Sequence, residues 1–204
     1  GLNVASYGST GSPNLSSVSG MDINAQGDLV VAAAEPGQVS VFKADGSLRF
    51  TLQTEAVKAP GEDPATTAAL FQPNDAAFGA DGRIYVADMG HHRIAVFSGT
   101  DGHYLSAWGS LGFYGEKELY EPHGLTVANG LVYVADSGNA RVMVYDAEGN
   151  FVKQVGHRGY QPGLFDSPFD VAVDGQNNLW VADNGRQLVM VYDSAGTLLK
   201  TYGD

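Results

Sequence analysis

Apolar and polar residues alternate along most of this 204-residue chain, and the alternation stops at clusters of Gly, Asn, Asp and Pro. A period of two marks half-buried strands rather than helices. Four apolar runs stand out: LVVAA from Leu29, IYVAD from Ile84, LVYVAD from Leu131 and LWVAD from Leu179. A four-residue turn separates each from a second run, QVSVF, RIAVF, RVMVY or LVMVY, ending at Phe42, Phe97, Tyr145 and Tyr192. A glycine turn comes next, at Gly46, Gly102, Gly149 and Gly196, and then a closing run, SLRFTL, HYLSAWG, NFVKQVG or TLLKTYG. Before the first run stands a short motif, Pro73-Asn74-Asp75, Pro122-His123-Gly124 or Pro168-Phe169-Asp170, with Val18-Ser19-Gly20 as its degenerate first copy. Each unit is therefore a four-stranded antiparallel meander, and the Asp of Val-Ala-Asp recurs at Asp88, Asp136 and Asp183, 48 and 47 residues apart.

The second strand of each unit is apolar on both faces, so its sheet must be covered on both sides. Radial packing of four-stranded sheets meets that need, and the predicted fold is all-β, a β-propeller. Val30, Tyr85, Tyr133 and Trp180 share one repeat column and are expected to wedge neighbouring blades together. The chain reads as one domain over residues 1–204, with blades at about 18–53, 73–109, 122–156 and 168–204. The insertion 54–72 carries a single helix signal, an Asp63-Pro64 start followed by good helix formers through Leu70.

Composition narrows the chemistry. The chain is 44% hydrophobic, contains no Cys, and carries 11 Lys and Arg against 23 Asp and Glu, for a net charge of −12. Disulfide frameworks, thiolate metal sites and a Cys nucleophile are excluded. Scattered cations in an acidic chain do not build a phosphate-binding face, so nucleic acid is not an expected partner. No apolar run approaches the roughly 20 residues of a membrane-spanning helix, and membrane insertion is not expected. The acidic, cysteine-free composition leads us to expect an extracellular or periplasmic setting.

The repeated motifs, Pro-x-Asp/Gly, Tyr-Val-Ala-Asp and Gly-x-x-Arg-Ile/Val-x-Val-Phe/Tyr, resemble those of the NHL-repeat β-propellers, most closely in IYVADMGHHRIAVF of the second blade. The insertion GEDPATTAALFQP also resembles the linker between such repeats. The resemblance covers almost the whole chain and implies fold rather than function. Propellers of this family usually have six blades, and this chain encodes four, plus a segment 1–17 that resembles an outermost strand and its exit loop. A fragment of a longer propeller, a closed four-bladed ring and an assembly closed by another chain are the three alternatives, and the ring is the least favoured. Asp88 with Arg93 and Asp136 with Arg141 are spaced to pair across a hairpin; blade one lacks both charges, having Ala33 and Gln38, while blade four has Leu188 in the arginine column and Arg186 two residues earlier.

Two functional expectations follow. In the first, the chain is a non-enzymatic scaffold that binds a protein partner or self-associates through its open blade ends, with Phe113, Tyr114, Tyr120 and Tyr160 as contact residues. In the second, His123, Asp75 and Asp170 converge at the channel mouth and hold calcium or zinc for a lyase or hydrolase reaction. Pro122-His123-Gly124-Leu125 is similar to the channel motif of the peptidyl-α-hydroxyglycine α-amidating lyases, whose zinc is held by three histidines. Asn74 and Phe169 stand where that resemblance requires further histidines.

Overall fold

The computed structural model describes residues 17–52 and 69–203, together with Pro13 and Leu15. These residues form four antiparallel sheets of four strands in sequence order. Blade one comprises β1 (Val18–Ile23), β2 (Leu29–Ala33), β3 (Gln38–Phe42) and β4 (Leu48–Thr51). Blade two comprises β5 (Pro73–Phe78), β6 (Arg83–Asp88), β7 (Arg93–Ser98) and β8 (Tyr104–Trp108). A short parallel pair, β9 (Ser110–Leu111) with β10 (Glu118–Leu119), bridges to blade three. Blade three comprises β11 (Pro122–Ala128), β12 (Leu131–Asp136), β13 (Arg141–Asp146) and β14 (Phe151–Val155). Blade four comprises β15 (Pro168–Val173), β16 (Leu179–Asp183), β17 (Leu188–Tyr192) and β18 (Leu198–Tyr202). The predicted outer strand in 1–17 and the helix from Asp63 fall almost entirely outside the described residues, and Ala69 and Leu70, where that helix would end, are not helical.

The propeller reading holds because the core lies between blades. The second and third strands are buried on both faces: Val132, Val134, Met143 and Tyr145 of blade three pack on Tyr85, Ile94 and Trp108 of blade two. Their opposite face, Tyr133, Val142 and Val144, packs on Val181, Met190 and Tyr192 of blade four. Alternation along a strand sends successive side chains to opposite sides, so one run supplies two joints. Each buried aromatic contributes about 1.5–3 kcal/mol of transfer free energy, which makes the joints the main source of stability. The aromatic column behaves as expected at Tyr85 and Tyr133, which are buried, whereas Trp180 is half-buried on the outward face of blade four.

Candidate functional site

The innermost strands β1, β5, β11 and β15 surround a channel of about 370 Å³ lined by Gly20, Asp22, Asp75, Gly124, Thr126 and Asp170 among others. Each of these strands slips register at its opening motif, between Val18 and Gly20, Pro73 and Asp75, Pro122 and Leu125, and Pro168 and Asp170. Such bulges re-aim side chains, and of the residues at these positions Ser19, Asn74 and Phe169 line the channel while His123 does not.

Carboxylates knit the channel wall together. Asp75 Oδ1 accepts the N–H of Ala76 at 2.8 Å and Oδ2 accepts that of Leu125, in the next blade, at 2.9 Å. Asp22 Oδ2 likewise accepts the Phe78 N–H from blade two at 2.9 Å, and Asp170 Oδ1 accepts the Val171 N–H at 2.8 Å. Asp75 lies against Gly20 and Asp170 against Gly124, so closely that a Cβ at either glycine would collide with the carboxylate. Burial pushes Asp75 up to about 7, against the lowering effect of its two N–H donors and with a further push from the Asp170 and Asp22 charges. A carboxyl that titrates near neutrality can hold or release a proton in the channel.

The metal expectation rests on His123 joining Asp75 and Asp170. Both aspartates line the channel, but His123 does not: its Nδ1 lies 2.9 Å from the Glu121 carbonyl and its ring 4.5 Å from that of Phe169. Among the described residues, no three His, Asp or Glu side chains gather as a metal-ligand group.

The Asp–Arg pairs form as predicted, and both partners are buried. Asp88 and Asp136 are each bound at 2.7 Å by the Nε of Arg93 and Arg141. Their other oxygens accept the N–H groups of Phe71 and Tyr120, both at 2.7 Å, in the segments that lead into β5 and β11. The guanidinium groups then bond the carbonyls of Ala69 and Glu118 in those same segments. In blade four, Asp183 accepts the N–H groups of Asp166 and Ser167, and Arg186 reaches the Leu164 carbonyl at 2.8 Å. Arg186 thus does the work of the missing arginine from a different position in the hairpin, a substitution that column-by-column reading of the repeat does not show.

The loop between β9 and β10 is built to display aromatic side chains. Glu118 Oε2 accepts three consecutive backbone N–H groups, from Phe113, Tyr114 and Gly115, at 3.0, 3.0 and 2.9 Å. These bonds lower its pKa. Blade three fixes the loop from below: Asn139 donates to the Gly112 carbonyl, Tyr145 to that of Glu116, and Arg141 to those of Gly115 and Glu118. With its backbone so engaged, the loop leaves Phe113 52% and Tyr114 93% exposed. Beside them lies a groove of about 480 Å³ bordered by Asn139, Gln154, His157 and Arg158. Tyr160 is also exposed, at 81%, whereas Tyr120 is half-buried, edge-on to Phe113 at 5.4 Å and stacked over Gly138. Tyr120 supports the display rather than forming part of it. The anchoring role of Glu118 was not among the expectations; its only sequence signal is an acid three residues after Gly115 in a turn.

The family described as "DUF5128: 6-bladed beta-propeller" matches residues 110–202, and the NHL repeat matches 72–97. No curated protein sequence matches the chain. Among solved structures, Kuenenia stuttgartiensis hydrazine synthase is similar at 16% identity and TM-score 0.67, over 93% of this chain and 49% of that one. Virginiamycin B lyase from Staphylococcus aureus follows at 14% identity and TM-score 0.64, over 94% and 57%, and U3-55K at 15% and 0.68, over 93% and 53%. These likenesses are of fold, and the chain spans about half the length of the structures it matches.

Proposed function

Because the chain belongs to the NHL-repeat β-propeller family, we propose that it acts as a non-enzymatic binding scaffold for a protein partner, with the 112–118 loop and its adjoining groove as the contact surface. The observation that carries this reading is the Glu118 carboxylate gripping three N–H groups beneath two exposed aromatic side chains. Aromatic residues on a fixed backbone lose little conformational freedom on binding, which is how interface anchors gain affinity. The acidic, cysteine-free composition supports an extracellular or periplasmic location, which fractionation of the producing cell tests.

Photo-crosslinking tests the surface directly. A photoreactive residue at Tyr114 is expected to yield one recurrent protein adduct, and the same group at Leu199, exposed on the outer strand of blade four, to yield none. Equal labelling at both positions would remove the loop from consideration. A channel-centred metalloenzyme has the weaker support, since His123 stands apart from Asp75 and Asp170. Zinc or calcium retained in a native mass spectrum and lost on Asp75→Ala would favour that reading instead.

A further inference from the structure

Carboxylates line other hollows of this acidic chain. Asp22, Asp75 and Asp170 stand in the channel wall, and Asp22 and Asp28 border a groove beside Arg49. The groove next to the 112–118 loop is different: its lining is two aromatic side chains, two arginines, a histidine, an asparagine, a glutamine and a glycine, with no Asp or Glu among the described residues. In a chain of net charge −12, donors gathered without an acid form a surface selective for negative charge.

The donors differ in how far they are already used. Arg141 is buried and spent, on Asp136, on Gln154 Oε1 and on the Gly115 and Glu118 carbonyls. Arg158 is exposed; its Nη2 holds the Gly138 carbonyl at 3.0 Å, and its Nη1 stands 3.4 Å from an Asp166 oxygen. That contact is long, and a solvated pair of this kind holds weakly, so the guanidinium keeps N–H donors for an incoming carboxylate. His157 is exposed beside it, and its ring makes no hydrogen bond with the described residues.

An acceptor stands among these donors. Asn139 spends both side-chain N–H groups, on the Gly112 carbonyl at 3.0 Å and on Asp136 at 2.8 Å, and its Oδ1 is left open. An inorganic anion has no use for an acceptor, whereas a peptide brings a backbone N–H close to its side-chain carboxylate. The exposed Phe113 and Tyr114 rings, inclined at 59° to each other, add an apolar wall.

Taking the 112–118 loop as the contact surface for a protein partner, the reading on which this step rests, we propose that its groove binds an extended acidic segment of that partner. An Asp or Glu side chain sits on Arg158 and His157, a backbone N–H on Asn139 Oδ1, and a flanking apolar side chain on Phe113 and Tyr114. The net negative charge of the chain does not oppose this, because at physiological ionic strength charges are screened beyond about 8 Å and the side chains of the groove decide.

Peptide titration followed by the amide resonances of the isotope-labelled chain tests the assignment. The probe is a pool of capped pentapeptides with Glu fixed at the centre and Leu, Phe or Tyr on either side. The Glu pool is expected to shift the amides of Phe113 and Tyr114 and the Nε–H of Arg158, and the matching Lys pool to leave them in place. Arg158→Glu, a change at an exposed position that should leave the rest of the spectrum unaltered, is expected to weaken the Glu pool about tenfold and to admit the Lys pool. Equal binding of the two pools, or binding of the Glu pool that Arg158→Glu leaves unchanged, would overturn the acidic preference while the loop remained a contact surface of another kind. Sodium acetate moving the same resonances as strongly as the Glu pool would make the ligand a free anion and overturn the assignment to a peptide. So would the absence of any shift with either pool. The crosslink at Tyr114, which uses none of these peptides, decides the scaffold reading separately.

Discussion

Blades three and one close the same hairpin with different means. In blade three, Asp136 and Arg141 face each other across the turn as a buried ion pair; in blade one the paired residues are Ala33 and Gln38. Both hairpins keep full register, so the ion pair is not what folds the turn. The difference lies one segment earlier. Blade three holds its incoming segment through the Tyr120 N–H on Asp136 and the Glu118 carbonyl on Arg141, in addition to the backbone bond from Gly138 to Tyr120. Blade one has a backbone bond at the same joint, from Ala34 to Ser17, one position nearer the strands on each side. The repeated Asp and Arg are therefore an anchor for the segment that bridges one blade to the next, and through Glu118 and Gly115 the anchor extends to the aromatic loop.

Removing the carboxylate should break this comparison most severely. Asp136→Ala leaves a buried guanidinium without its counter-charge and frees the Tyr120 N–H, and a loss of about 3–5 kcal/mol is expected. Urea unfolding measures it, and hydrogen exchange should show the amides of Phe113, Tyr114 and Gly115 opening at the same time. Unchanged stability would reduce the pair to an accessory of the hairpin.

Taking away both charges sharpens the point. Asp136→Ala with Arg141→Leu should cost about 1–3 kcal/mol, less than the single change, because no buried charge is stranded while the segment still loses its partners. A double variant as unstable as the single one would mean that the anchor bonds, not charge burial, dominate.

Blade four supplies the intermediate case. Arg186 is half-buried and donates to the Gln161 and Leu164 carbonyls, so Arg186→Leu should cost about 1–2 kcal/mol in the same unfolding assay. A null effect would show that Asp183, with its two N–H donors, anchors the segment alone.

How far this was legible in the sequence depends on whether the governing interaction repeats. Strand runs and the Asp88–Arg93 and Asp136–Arg141 pairs recur at fixed spacing, so period and charge together predict them. Arg186 breaks the column and yet reaches an equivalent carbonyl, because guanidinium reach rather than register decides the contact. Glu118 acts once only, through a loop conformation that no periodicity encodes. His123 stands in the motif column of Ser19, Asn74 and Phe169, one position before that of Asp75 and Asp170, and of its own column it is the residue that leaves the channel wall. In blade three, one residue of offset separates Gly124, which lines the channel, from His123, which does not.

That offset leads to the smallest expected effect. Blade two has Asp75 on the channel wall where blade one has Gly20 and blade three Gly124, and the carboxyl fills the space that the missing Cβ of Gly20 leaves. Its pKa of about 7 in the folded chain lies above the ordinary value of 3.8, so between those values the folded state holds a proton that the unfolded state has released. Stability from this group is fully present below about pH 4, declines as pH rises to about 7 and is level above it. Asp75→Asn abolishes that titration. The stability of the native chain relative to the variant should thus fall between about pH 4 and pH 7, by about 1 kcal/mol because the Asp75 side chain is only half-buried. Chemical unfolding at several pH values measures the difference. A relative stability that instead rose with pH would mean that the N–H donors of Ala76 and Leu125 outweigh burial, making Asp75 a charged latch between blades two and three.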